Sequence, residues 1–143
     1  MLIGEYKHSL DPKKRLSIPS KFRKELGEGA VLTRGLDNCL FVFPSAYWHQ
    51  LAEKLGNMPL VQRGSRALAR LLLSGAMEDD FESLGRILVP EYLKNYAGLQ
   101  KVAVVAGLYN RLEIWEEKRW EQYKANLEKN SDRIAEKLGE LGI

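Results

Sequence analysis

The chain repeats itself. Setting Asp11 over Glu82, a shift of 71 residues, brings Arg15 onto Arg86, Leu16 onto Ile87, Ile18 onto Val89, Pro19 onto Pro90, Phe22 onto Leu93, Arg23 onto Lys94 and Gly27 onto Gly98. With one inserted residue, a shift of 72, GLDNCLFVFPSAYW lies over GLYNRLEIWEEKRW. Gly35 then meets Gly107, Asn38 meets Asn110, Leu40 meets Leu112, Phe43 meets Trp115 and Trp48 meets Trp120. Agreement this regular reads as an internal duplication of residues 5–48 and 77–120. It constrains the fold because a unit of about 45 residues buries little surface alone. The strands of the two copies are expected to interlock into one shared barrel. The 143 residues, 45% of them hydrophobic, suffice for one ordinary core.

Each copy has the same coarse plan. An early strand, around Ile3–His8 in the first copy, leads into a polar turn. A short strand follows, Arg15–Ile18 or Arg86–Val89, and then a proline that opens a short helix. Glycine closes that helix. A β-branched strand, Ala30–Thr33 or Val102–Val105, is joined by a Gly-Leu-x-Asn turn to a last strand, Leu40–Phe43 or Leu112–Trp115. Ser45 is positioned to cap a helix whose apolar stripe is Trp48, Leu51 and Leu55, and Gly56 and Pro59 end it. Linking helices occupy residues 49–76, one of them from about Leu60 to Ser74 with Leu68, Leu71 and Leu72 inward. A final helix starts near Glu116 and fills residues 121–143, with Trp120, Tyr123, Leu127, Ile134, Leu138 and Leu141 along one seam. Asn130 and Ser131 interrupt that seam, which argues against an autonomous coiled coil. The fold class is α+β.

The charge is unevenly spread. Lysine and arginine exceed the acids only 22 to 19, but residues 1–28 hold seven cations against four acids. Lys13, Lys14 and Arg15 stand together on the turn ahead of the second strand. A single cysteine, Cys39, excludes an internal disulfide and fits a reducing cytoplasm. The N-terminus lacks the basic start and apolar run of a signal peptide, and no apolar run approaches a membrane span. His8 and His49 have no metal-ligand spacing, and there is no phosphate-binding glycine loop and no nucleophile elbow. No catalytic constellation, cofactor or small-molecule substrate is indicated. Cys39 reads as a buried thiol and Glu78-Asp79-Asp80 as a solvated strand edge. Arg63, Arg66 and Arg70 read as a solvated or subunit-facing stripe, and Trp48, Trp115 and Trp120 as core or interface.

The segments GEYKHSLDPKKRLSIPSKFR, GLDNCLFVFP, GRILVP and GLYNRLEIW make the chain resemble the MraZ family over essentially its whole length. Its Asp-x-x-x-Arg hallmark stands as Asp11 and Arg15, and again as Glu82 and Arg86. The resemblance implies paired AbrB-like swapped-hairpin units in a pseudo-symmetric β-barrel with flanking helices. It implies a homo-oligomer, often a ring. It implies a bacterial, nucleoid-associated transcriptional regulator that binds repeated double-stranded DNA elements upstream of a division and cell-wall gene cluster, usually its own operon. This chain departs from the family twice. Lys14 replaces the usual glycine, which suggests a positive φ held at a strain of about 1 kcal/mol or more. Glu82 replaces the usual aspartate, and its longer side chain changes the reach toward Arg86.

The turn's chemistry suits DNA. Arginine can give two parallel donors to O6 and N7 of guanine, and lysine serves phosphate as a point charge. Arg15 is the candidate base reader and Lys13 and Lys14 are candidate phosphate contacts, flanked by Lys7, His8, Lys21, Arg23 and Lys24. The second copy, with less positive charge, is expected mainly to complete the barrel and the subunit contacts. Asp11 and Arg15 can equally pair across the turn in a structural role. A protein-interaction scaffold without DNA binding is the competing reading, motivated by the terminal seam and the tryptophans.

Overall fold

A computed structural model describes residues 1–79 and 85–143. Six helices and eight strands alternate along the described chain. They are β1 (Leu2–Ser9), β2 (Arg15–Ser17), α1 (Ser20–Leu26), β3 (Ala30–Arg34), β4 (Leu40–Pro44), α2 (Ser45–Gly56), α3 (Arg63–Gly75), β5 (Met77–Asp79), β6 (Arg86–Leu88), α4 (Glu91–Ala97), β7 (Val102–Tyr109), β8 (Leu112–Glu116), α5 (Glu117–Lys129) and α6 (Ser131–Glu140). The α+β class expected from the sequence is the class found.

The strands form two antiparallel sheets. The larger has the order β1-β7-β8-β4-β3-β5, and β2 pairs with β6 as a separate ribbon. The larger order reads the same from either end once each strand is exchanged for its counterpart in the other copy. The ribbon centres on Leu16 opposite Ile87, and the β4–β8 pair centres on Phe41 opposite Glu113. Both central pairs are residues that the shifts of 71 and 72 relate. Each outer strand pairs with the other copy: β1 runs along β7, and β5 along β3.

The expected closed barrel is not formed. Among the described residues β1 and β5 are the two ends of an open sheet, with no ladder between them. β2 and β6 span three residues each and pair with one another as a separate ribbon. The hairpin alignment also shifts by one. Gly107 stands opposite Leu112 as Arg34 stands opposite Leu40, so Gly107 is the counterpart of Arg34 and not of Gly35. The second hairpin turn is one residue shorter, and β7 reaches Tyr109 because β1 pairs along its full length.

Strand alternation gives the sheet two apolar faces. Leu32, Leu40, Val42, Val105, Leu112 and Ile114 join Leu16, Ile18, Phe22, Ile87, Val89 and Leu93, burying one face under the ribbon, α1 and α4. Val31, Phe41, Phe43, Val104 and Trp115 bury the other against Trp48 and Leu55 of α2 and Leu72 of α3. At the centre Glu113 is buried. It accepts from Arg111 Nη2 at 2.9 Å and from Trp115 Nε1 at 3.1 Å, while Arg111 lies 5.0 Å over the Phe41 ring.

Two helix starts differ from expectation. Ser45 begins α2 without capping it; its N–H is bound to the Gly29 carbonyl and Pro44 takes the cap position with no side-chain bond. The linking helix starts at Arg63. The terminal segment is two helices parted at Asn130, where the sequence interrupts the seam, and α5 begins at Glu117, next to the expected start. Glu116 caps it by accepting from the Lys118 N–H at 2.6 Å.

Candidate nucleic-acid interface

One carboxylate builds the turn between β1 and β2. Asp11 Oδ1 accepts the backbone N–H groups of Lys13 and Arg15, each at 2.9 Å. Its Oδ2 accepts Arg15 Nε at 2.8 Å and Arg86 Nη1 at 3.3 Å. Backbone bonds from Asp11 N–H to Arg15 O and from Lys14 N–H to Asp11 O close the loop. Aspartate has the reach for such a turn because its short side chain bonds the backbone two residues on. The Arg15 backbone N–H does most to hold the Asp11 carboxyl below its ordinary range, and the Arg15 guanidinium adds to it. The structural pairing of Asp11 with Arg15 is therefore present, and Arg86 crosses from the other copy to the same carboxylate. Glu82, the motif residue of the second copy, lies outside the described residues.

Lys14 has φ 62°, the left-handed conformation expected where a relative would carry glycine. Its counterpart under the shift of 71 is Gly85, with φ 73°. The turn is forced on both because each carbonyl continues the ribbon: Lys14 O accepts Val89 N–H at 2.8 Å, and Gly85 O accepts Ile18 N–H at 3.1 Å. A Cβ on Gly85 would also stand 2.3 Å from Arg23 Nη1.

Alternation along the ribbon sends Leu16 and Ile87 into the core and leaves Arg15, Ser17 and Arg86 half-buried on the outer side. The Arg15 side chain is 27% exposed and the Arg86 side chain 22%. Lys13 is exposed beside them. The Lys14 ammonium pairs with Glu91 of α4. That contact holds the Glu91 carboxyl below its ordinary range.

The flanking cations divide. Lys21 and Lys24 are exposed on α1, directly after the ribbon. Arg23 is half-buried, its Nε donates to Ile18 O at 3.0 Å, and its guanidinium packs over Gly85, so it braces the entry to the ribbon at that glycine. His8 shares a side of β1 with Tyr6, whose ring meets Phe22 of α1 edge-on at 5.2 Å. Lys7 stands apart from this group. Alternation puts it on the opposite side of β1, where it lies 3.4 Å from Glu121 and 3.7 Å from Glu117 of α5. Its neighbour on that side, Glu5, holds α5 through Trp120 Nε1 and Lys124 Nζ.

Sequence reading missed three charged residues of the second copy that surround the first turn: Glu91, Lys94 and Lys101. Lys94 was visible only as the shift partner of Arg23. Lys101 comes near because the Leu10 N–H bonds to its carbonyl at 2.8 Å, a contact between distant segments. Elsewhere, Cys39 is buried and donates to Leu36 O, and burial raises its thiol pKa, so it is inert. Trp48 and Trp115 are buried and Trp120 half-buried. Asp79 Oδ2 accepts Leu88 N–H at 3.0 Å, and Asp80 lies outside the described residues. Among the described residues no group of three or more His, Cys, Asp or Glu could hold a metal ion, and no helix is long and apolar enough to cross a membrane.

An open antiparallel sheet and a β2–β6 ribbon, with a carboxylate-pinned basic turn leading into that ribbon, define an α+β protein organised around a charged loop. The chain belongs to the MraZ family. The family model described as "MraZ protein, putative antitoxin-like" matches residues 1–71 and again 72–139. Relatives named "Transcriptional regulator MraZ" include those of Halothermothrix orenii, 47% identical over 143 residues, and Caldicellulosiruptor saccharolyticus, 48% identical over 143 residues. Another, from Clostridium tetani, is 48% identical over 144 residues. In all three the match covers 100% of both chains.

Proposed function

We propose that the chain is a sequence-specific DNA-binding transcriptional regulator. It acts as a homo-oligomer, in a ring, on repeated elements upstream of a division and cell-wall gene cluster that includes its own gene, and it resides in the cytoplasm at the nucleoid. Residues 5–48 and 77–120 are the two swapped-hairpin units, 49–76 the linker and 121–143 the terminal helical segment. The relatives' name supports regulation of transcription. One observation carries the DNA reading. Asp11 fixes the backbone of Lys13 and the backbone and guanidinium of Arg15, so the basic turn is held in one geometry before any partner arrives.

In this reading Arg15 meets a base edge and Lys13 and Lys14 meet phosphates, with Lys21, Lys24 and His8 along the flank. Lys7 and Arg23 serve mainly the fold. One such turn binds weakly and with strong salt dependence. Several turns on one oligomer engage tandem repeats together and multiply affinity. Helix α6 supports assembly: none of its residues is buried, and Ile134, Leu138 and, just beyond, Leu141 expose an apolar stripe. Arg15→Ala, assayed by gel shift on the chain's own upstream DNA, abolishes specific retardation while sedimentation shows an unchanged oligomer. Retained operator affinity in that variant overturns Arg15 as the reader. An assembled wild-type oligomer that shifts no DNA at low salt favours the scaffold reading.

A further inference from the structure

We infer that the second copy supplies a seat for the DNA backbone beside the first turn, formed by Lys14, Lys94 and Lys101, with Glu91 as the counter-charge that DNA must displace. This rests on the DNA reading above and assigns the second copy a direct part in it. An open pocket of about 290 Å³ adjoins the turn, lined by Leu10, Asp11, Pro12, Lys14, Lys94, Gln100 and Lys101. Three of the lining groups are ammonium ions and one is a carboxylate. That carboxylate, Asp11, is already engaged by Arg15 and Arg86. Neither Lys94 nor Lys101 forms an ion pair among the described residues. Among the described residues the pocket is thus a net-positive hollow whose one lining acid is neutralised by Arg15 and Arg86.

The ligand chemistry this selects is a phosphodiester. Ammonium groups on flexible stems hold a polyanion as point charges without reading sequence. Gln100 adds a neutral polar residue to the lining. Lys14 is the shared member: it belongs to the first turn, yet its ammonium is paired with Glu91 of the second copy. Glu91 also feels Lys94. A phosphate entering the pocket competes with Glu91 for both lysines, so Glu91 lowers affinity and keeps the turn from adhering to any passing duplex.

The test uses the full-length oligomer and its own upstream duplex, with affinity measured across a salt series on operator and on unrelated DNA. The Lys94→Gln, Lys101→Gln double variant weakens both kinds of binding in parallel, and its salt slope falls by about one unit or more. Glu91→Gln moves the other way, tightening binding up to about fivefold per turn and steepening the slope. Circular dichroism confirms that each variant is folded. Wild-type slope and affinity in the double variant overturn the seat, and if Arg15→Ala still abolishes specific binding, the DNA reading survives that loss. A wild-type protein with no salt-dependent binding overturns both. A free anion is distinguished by titrating inorganic phosphate at constant ionic strength. No saturable binding is expected. Saturable binding that the double variant loses, with its DNA slope unchanged, overturns the assignment.

Discussion

Lys14→Gly separates the backbone requirement of the turn from its charge. The lysine sits at φ 62°. Holding an L-residue there costs roughly 1–2 kcal/mol. Glycine removes that cost but loses about 0.5–1 kcal/mol more backbone entropy on folding. The exposed pair with Glu91 contributes little to the balance. The net is a stabilisation of about 0.5–1 kcal/mol, which in a chain of this size raises Tm by about 2–4 °C. Lys14→Ala is the control, because it loses the ammonium and keeps the strained φ. In calorimetry the order of Tm should be Gly above Lys, with Ala lowest or level with Lys. In the salt series both variants should lose about one unit of slope. Glycine melting at or below alanine would refute the reasoning, since the left-handed conformation would then not be what residue 14 must supply.

Three further outcomes follow from the packing. Phe22 is fully buried between the ribbon and the sheet, so Phe22→Ala should cost about 3–5 kcal/mol, read from chemical denaturation. Glu113→Ala leaves the Trp115 N–H without its acceptor and the Arg111 guanidinium with Asn110 Oδ1 alone, and should cost about 1–3 kcal/mol by the same assay; replacing Arg111 and Glu113 together with apolar residues should recover part of it. The lowered folded-state pKa of Asp11 means that its contribution is complete above the ordinary value of 3.8 and is lost as pH falls through the lower folded value. The stability gap between wild type and Asp11→Asn should therefore be constant from about pH 5 to 8 and close in strong acid. A gap that persists unchanged there would show that the carboxylate's charge is not what anchors the turn.

Much of the fold could be read from the duplication. The strand–turn–strand–proline–helix plan and the break at Asn130 are local signals, each carried by neighbouring residues. Lys14 is the most informative position: a lysine where the resemblance led to an expectation of glycine announced a positive φ that the backbone has. What escaped was non-local. The open sheet reflects which strands pair across the chain, β1 with β7 and β5 with β3, while β2 and β6 pair apart from it. The one-residue offset at Gly107 depends on a shorter second turn. The surroundings of Lys7 were not legible either, because the acids of α5 reach β1 from over 100 residues away in the chain. Glu91, Lys94 and Lys101 flank the first turn only because the two copies interlock. Their proximity is a property of the shared ribbon, and the first copy read alone does not contain it.

The most direct test is nuclease footprinting of the region upstream of the gene at two salt concentrations, with wild type and Arg15→Ala side by side. A regulator that grips duplex DNA through pinned basic turns on one oligomer gives evenly spaced protected segments that fade at the higher salt and are missing in the variant. Protection with no repeat, or a footprint that the variant reproduces, contradicts it.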